Sequence, residues 1–213
     1  DKTSTYAIAL EAPVAPSTIS FKGDLIEFDN NSLQETKGSG TLLAQQPTAF
    51  AAGLNGSYAF GLHGDTPCLP TCTIGVIAGP AAAVGQFATN GAGTISSGTS
   101  DANIATVNFA SEALSGSYGA ADGNGRLQLT MNTAGTPAGV YPSDYAVYLV
   151  DANHAFILST DKHSDYILLA GSAQLQTQSS FSNASMSGPI IGYENAQANP
   201  GLLGATLQDV LNF

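Results

Sequence analysis

A chain of 213 residues is long enough to bury a substantial core, as one large β-domain or two small ones. Charged residues make up only 10% of it, against a usual ~25%, and 16 acids against 5 bases give a net charge of -11. Lys2, Lys22, Lys37, Arg126 and Lys162 are scattered, which excludes a nucleic-acid binder working through phosphates and disfavours an anionic membrane surface. With 43% hydrophobic residues the composition is not that of a disordered chain. No apolar run is long enough for a membrane-spanning helix. The opening on Asp1 without Met reads as a processed mature chain or a cut piece.

In chain order, Tyr6–Leu10 (YAIAL) alternates as a strand and is ended by Pro13 and Pro16. Ile19–Phe21 and Asp24–Phe28 read as β, Asp29–Ser32 as a turn, and Gly38–Gln45 as a third strand region. Gln46–Gly53 is a connection around Phe50, and Leu54–Leu62 is a strand containing Gly56-Ser57-Tyr58. Gly64–Thr73 is a loop holding Cys68 and Cys72, the only cysteines; PCLPTC suits a local disulfide in an oxidising compartment and lacks the further ligands a zinc site needs. Ala81–Gln86 leads through Phe87 to the hairpin signal Asn90-Gly91. Thr94–Ser96 leaves that turn, Gly98–Asn103 reads as another polar turn, and Ile104–Phe109 as a strand.

Leu114–Asn132 is the most organised stretch, with a Gly-Ser-Tyr opening, the turn Asp122-Gly123-Asn124-Gly125, and a strand in which Leu127 and Leu129 share a face. Tyr145–Val150, Ala155–Ser159, Tyr166–Ala170 and Ser172–Gln178 follow as β, with turns at Asp151–Asn153 and Asp161–Asp165. In the tail, Leu203, Leu207, Val210 and Leu211 fall at helical spacing, predicting a short terminal helix over Leu202–Leu211.

Pieces of the chain recur. LNGSYAF at Leu54–Phe60 answers LSGSYGA at Leu114–Ala120. GSAQLQTQSSF at Gly171–Phe181 overlies GTLLAQQPTAF at Gly40–Phe50 at an offset of 131 residues, and each is followed by a glycine, Gly188 and Gly56. Tyr145–Leu149 also echoes Tyr6–Leu10. A repeat of roughly 130 residues entered mid-unit is expected.

About eight strands between Leu54 and Gln178, joined by short turns, predict an all-β fold: an antiparallel up-and-down barrel with extra β-segments at the N-terminus and the short C-terminal helix. A β-sandwich is the alternative. The expected divisions are 1-53 as a partial β-repeat, 54-181 as the main barrel, and 182-213 as a terminal strand with the helix. Gly56-Ser57-Tyr58 resembles the Gly-x-Trp opening of lipocalin-like (calycin) barrels, and the hairpin spacing resembles that of avidin-like barrels. The Gly-x-Tyr and Asp-Gly-x-Gly hairpins also resemble secreted bacterial repeat proteins. The first likeness implies a carrier of a small apolar ligand; the second implies an extracellular role without assigned chemistry.

For catalysis the residues offer little. No G-x-S-x-G is present, and Ser100 in Gly98–Asp101 reads as turn chemistry. His154 and His163, with Asp161 and Asp165 nearby, form the best metal or acid-base cluster, though solvated turn histidines are the more economical reading. Asp122–Gly125 has too few carboxylates for calcium. Asp24, Glu27 and Asp29, or Asp144 and Asp151, could pair for glycoside hydrolysis, yet the chain has no Trp to stack a sugar. Tyr118, Tyr145, Tyr148, Phe156 and Tyr166 are the candidate lining of an apolar ligand site, or ordinary packing.

The expected function is therefore a non-catalytic extracellular β-module, secreted or at the cell surface, serving structure, adhesion or self-assembly. No cofactor or metal is expected; the segment Thr3–Gln45 and the tail Ser182–Phe213 are expected to pair, either within the chain or with another copy by strand addition, and a small apolar ligand is the other partner considered. The alternatives are a calycin-type carrier and, with least support, a carbohydrate-active hydrolase.

Overall fold

The computed structural model describes residues 5–13, 15–16, 20–27, 38–66, 79–104, 107–135, 142–161, 167–178, 180–182, 185, 191–197 and 206–212. The chain divides into two compact units, Asp1–Gln46 and Pro47–Phe213.

The first unit is a three-stranded antiparallel meander of β1 (Tyr6–Leu10), β2 (Lys22–Glu27) and β3 (Ser39–Leu43), in that order. Its register sets Ile8 against Leu25 and Leu25 against Gly40, with Leu10 against Gly23 and Gly23 against Leu42. Because side chains alternate along a strand, Tyr6, Ile8, Leu10, Leu25 and Leu42 share one face. The other face carries Asp24 and Thr41, joined by a 3.2 Å hydrogen bond from the threonine hydroxyl.

The second unit opens with a 3-10 helix, Pro47–Ala52, and then closes an eight-stranded barrel. Its strands are β4 (Asn55–Thr66), β5 (Gly79–Asn90), β6 (Thr94–Ile104), β7 (Val107–Tyr118), β8 (Arg126–Thr133), β9 (Asp144–Leu149), β10 (His154–Ser159) and β11 (Leu168–Leu175). Each pairs antiparallel with the next, and β11 returns to β4 with Ala173 opposite Phe60. The up-and-down barrel expected between Leu54 and Gln178 is thus present, with extra β-structure before it; a closed ring is not a sandwich.

Beyond the barrel, β12 (Ile191–Gln197) and β13 (Thr206–Asn212) form an antiparallel hairpin. This corrects the predicted helix over Leu202–Leu211 where it is described, from Thr206 onward; residues 202–205 lie outside the described residues. A short apolar pattern is compatible with either period, and β12 supplies a continuous ladder from Ile191 opposite Asn212 to Gln197 opposite Thr206.

Two further expectations are corrected around β6. Gly98–Asn103, read as a polar turn, lies inside that strand, where register shifts between Ile95 and Thr99 and between Ser100 and Ala102 absorb its irregular composition. Ile104–Phe109, read as one strand, is the hairpin between β6 and β7, with Ile104 opposite Val107. Polar residues belong in this strand because the bulges supply their partners: the Asp101 carboxylate accepts the Ser111 N–H at 2.7 Å, and Ser111 itself has φ +56°.

The interior is filled from all sides. Leu54, Tyr58, Phe60, Leu62, Phe87, Ile95, Ile104, Leu114, Leu127, Leu129, Met131, Tyr145, Val147, Leu149, Ile157 and Leu169 form one buried cluster. Tyr58 and Phe60 pack on Phe87 with ring centroids 5.6 and 5.9 Å apart. The glycines make room for these side chains. A Cβ on Gly85 would lie 2.7 Å from the Phe60 ring, and one on Gly98 2.8 Å from the Leu114 Cβ. Large and small residues therefore alternate across facing strands, which is how a narrow barrel reaches interior packing density.

One end of the barrel is built of short turns that follow a common rule. The Asn90 side-chain oxygen accepts the N–H groups of Ala92 and Thr94 at 2.8 and 3.0 Å. That of Asp122 accepts those of Asn124 and Arg126, both at 2.9 Å. Asp151 does the same for Asn153 and His154, at 2.7 and 2.9 Å. Such Asx contacts replace backbone partners where the ladder stops. Gly125 (φ +71°) lies here beneath the ring of Phe50 from the 3-10 helix.

Candidate functional site

The predicted aromatic set divides between the two faces of the barrel wall. Tyr145 is fully buried, its hydroxyl donating to the Pro142 carbonyl at 2.9 Å. Tyr118 is half-buried and donates to the Leu54 carbonyl at 2.7 Å, tying β7 to the entry of β4. Tyr148 points outward, 41% exposed, directly opposite half-buried Phe156 on β10. Tyr166 lies outside the described residues. Tyr145 and Tyr148 are three residues apart on one strand, so a period of two sends them to opposite faces, a signal already present in the spacing.

The ionisable groups fall into small local arrangements. The His154 Nδ1 lies 3.0 Å from both carboxylate oxygens of Asp151. For Asp151, burial opposes ionisation, but it is outweighed by the Asn153 N–H and by the His154 ring, so its carboxyl is held below the ordinary value. Asp161, expected near His154, sits beyond the other end of β10 and accepts from Ser143 N and Oγ and from Asp144 N, which braces the start of β9. His163 and Asp165 lie outside the described residues, as do Cys68 and Cys72 with their expected disulfide. Asp122 is held low by the Arg126 and Asn124 N–H groups that its carboxylate accepts within the turn.

The carboxylate pairs considered for glycoside chemistry are not juxtaposed along their strands. Asp24 and Glu27 fall on opposite faces of β2. Asp144 begins β9 and Asp151 follows its end; Asp29 lies outside the described residues. Ser100 is buried within β6. Among the described residues, no group of three His, Cys, Asp or Glu side chains is placed to hold a metal.

Among the described residues, two recesses on the barrel are lined as follows. One, of about 680 Å³, is lined by Ala59, Leu175, Thr177, Phe181 and their neighbours after β11. The other, about 330 Å³, lies along β5, β6 and β7 beside Val84 and Phe109.

The largest departure from ordinary burial is in the first unit. Tyr6, Ile8 and Leu10 are 53%, 58% and 67% exposed, and Phe21, in the same alternation ahead of β2, is exposed as well. A contiguous apolar strand face open to water usually marks a surface that meets a partner. Sequence reasoning identified these strands but not this surface, because alternation shows that a face is apolar and not whether it is covered. No protein family and no curated protein matches the chain.

Proposed function

We propose that this chain is a non-catalytic extracellular β-module, secreted or at the cell surface, whose role is structural: surface architecture, adhesion or self-assembly. Two observations support this reading: the open apolar face of β1–β3 in the first unit, and, in the second, a barrel whose interior is packed with its own side chains. A packed barrel is a rigid body with little room for a guest, whereas an apolar sheet face open to water, with edges that pair with no other strand among the described residues, suits a joint. The neutral-polar, lysine-poor surface suits a secreted setting, where solubility comes from net negative charge.

The test is light scattering of the intact chain and of a chain beginning at Pro47, over a hundredfold range of concentration. The intact chain should associate as concentration rises and the shortened barrel should stay monomeric. A strictly monomeric intact chain would count against assembly.

A second reading, a carrier of a small apolar ligand, is favoured by the recess at Leu175 and Phe181. It predicts saturable displacement of a fluorescent fatty acid, lost in Phe181→Ala.

A further inference from the structure

The first unit repeats the last three strands of the barrel residue for residue. In β9–β11, Val147 faces Ile157 and Ile157 faces Gly171; Leu149 faces Ala155 and Ala155 faces Ala173; Tyr145 faces Ser159. In β1–β3 the corresponding rows are Ile8, Leu25 and Gly40; Leu10, Gly23 and Leu42; and Tyr6 with Glu27. Tyrosine, branched aliphatic and leucine follow in the same order on the first strand, and the one glycine of the central row falls at the same place.

The hydrogen bonds flanking the two meanders also correspond. Glu11 N donates to Lys22 O at 2.9 Å, as Val150 N donates to His154 O at 2.9 Å. Ala44 N donates to Phe21 O at 2.9 Å, as Leu175 N donates to Asn153 O at 2.7 Å. The β3–β11 equivalences keep the offset of 131 residues found in the sequence between Gly40 and Gly171, while the strands before them correspond with the intervening turns differing in length. After each meander the sequence holds a phenylalanine, Phe50 or Phe181, and an antiparallel hairpin follows, β4–β5 or β12–β13.

What differs is the surroundings. In the barrel, β9 pairs with β8 and β11 with β4, and the face carrying Tyr145, Val147 and Leu149 is buried. Among the described residues β1 and β3 pair only with β2. The glycines register the same absence. A Cβ on Gly171 would run into the Gly61 carbonyl of β4, while one on Gly40 meets nothing nearer than the Leu25 Cγ at 4.0 Å.

We infer that β1–β3 are the closing strands of a second barrel of the same construction, and that their apolar face and free edges take a five-stranded segment paired as β4–β8 are. That segment is carried on the N-terminal side of β1, as β8 precedes β9. The inference rests on the assembly reading and names its partner: not a ligand or an unrelated protein, but a further repeat of this barrel. Burial of three large side chains and two strand edges makes the joint a shared core rather than a weak surface contact.

The chain itself supplies the probe. Residues 47–143 placed ahead of the intact chain give β1 a β8-type neighbour and β3 a β4-type neighbour. Nitration of Tyr6 should then slow about tenfold or more, toward the rate of buried Tyr145, and association of the chain should cease. Ile8→Asp in this extended chain should abolish the added cooperative unfolding transition and restore Tyr6 reactivity. The inference is overturned if Tyr6 reacts as fast with the added strands as without them, or if Ile8→Asp leaves the unfolding of the extended chain unchanged. Should the unextended chain still associate in that event, the assembly reading would stand without this partner.

Discussion

The meanders β1–β3 and β9–β11 share their strand order, cross-strand rows and flanking hydrogen bonds, yet one lines a core and the other faces water. Local sequence therefore specifies the meander, through alternation and a glycine at one end of the central row, independently of whether its apolar face is buried. Burial is contributed by the neighbours, β8 and β4 in the barrel. The same side-chain pattern is thus a stabilising interior in one place and an exposed apolar face in the other.

Equivalent substitutions on the two sides should diverge most where burial differs most. Val147→Asp places a charge in the fully buried row of β9 and should cost at least about 4 kcal/mol or prevent folding. Its counterpart Ile8→Asp should change the barrel's urea midpoint by no more than the equivalent of about 0.5 kcal/mol, while reducing self-association. Equal losses on both sides would break the comparison.

The glycine pair is a finer probe. Gly171→Ala forces a methyl against the β4 backbone and should cost about 2 kcal/mol or more by denaturant unfolding. Gly40→Ala, with open space around it, should lie within about 0.5 kcal/mol of neutral.

The smallest effect concerns the turns that close one end of the barrel. Asp122 and Asp151 have carboxyls held below the ordinary value, whereas Asn90 performs the same capping without charge. A depressed carboxyl contributes stability above its unfolded value near 3.8, and that contribution is lost as pH falls through the lower folded value. The barrel's urea midpoint should therefore decline as pH drops below about 4, and less steeply in Asp151→Asn. Substitutions at Asn90 should leave the pH profile unchanged.

Much of this fold is legible in the residues. YAVYL and AFILS could be little else than strands, and the Gly-rich turns after Asn90 and Asp122 fix two hairpins, with positive φ taken up at Gly91, Gly93 and Gly125. The stretch GTSDAN was misread because its polar residues are satisfied by bulges and by Ser111, contacts that appear only when β7 lies alongside. The tail was misread because seven residues carry too little pattern to separate a helix from a strand whose partner lies upstream. Of the candidate site, the opposite faces of Tyr145 and Tyr148 were readable from their spacing. The exposed face of β1 was not, since exposure depends on strands far away in the chain or outside it.

The most direct measurement is the rate of tyrosine nitration in the intact chain, compared at Tyr6 and Tyr145 by mass spectrometry. Tyr6 should react as an open side chain at dilutions where the chain is monomeric, and Tyr145 only as the barrel unfolds. Similar protection at the two positions would contradict the account, because the two meanders would then differ in nothing that matters.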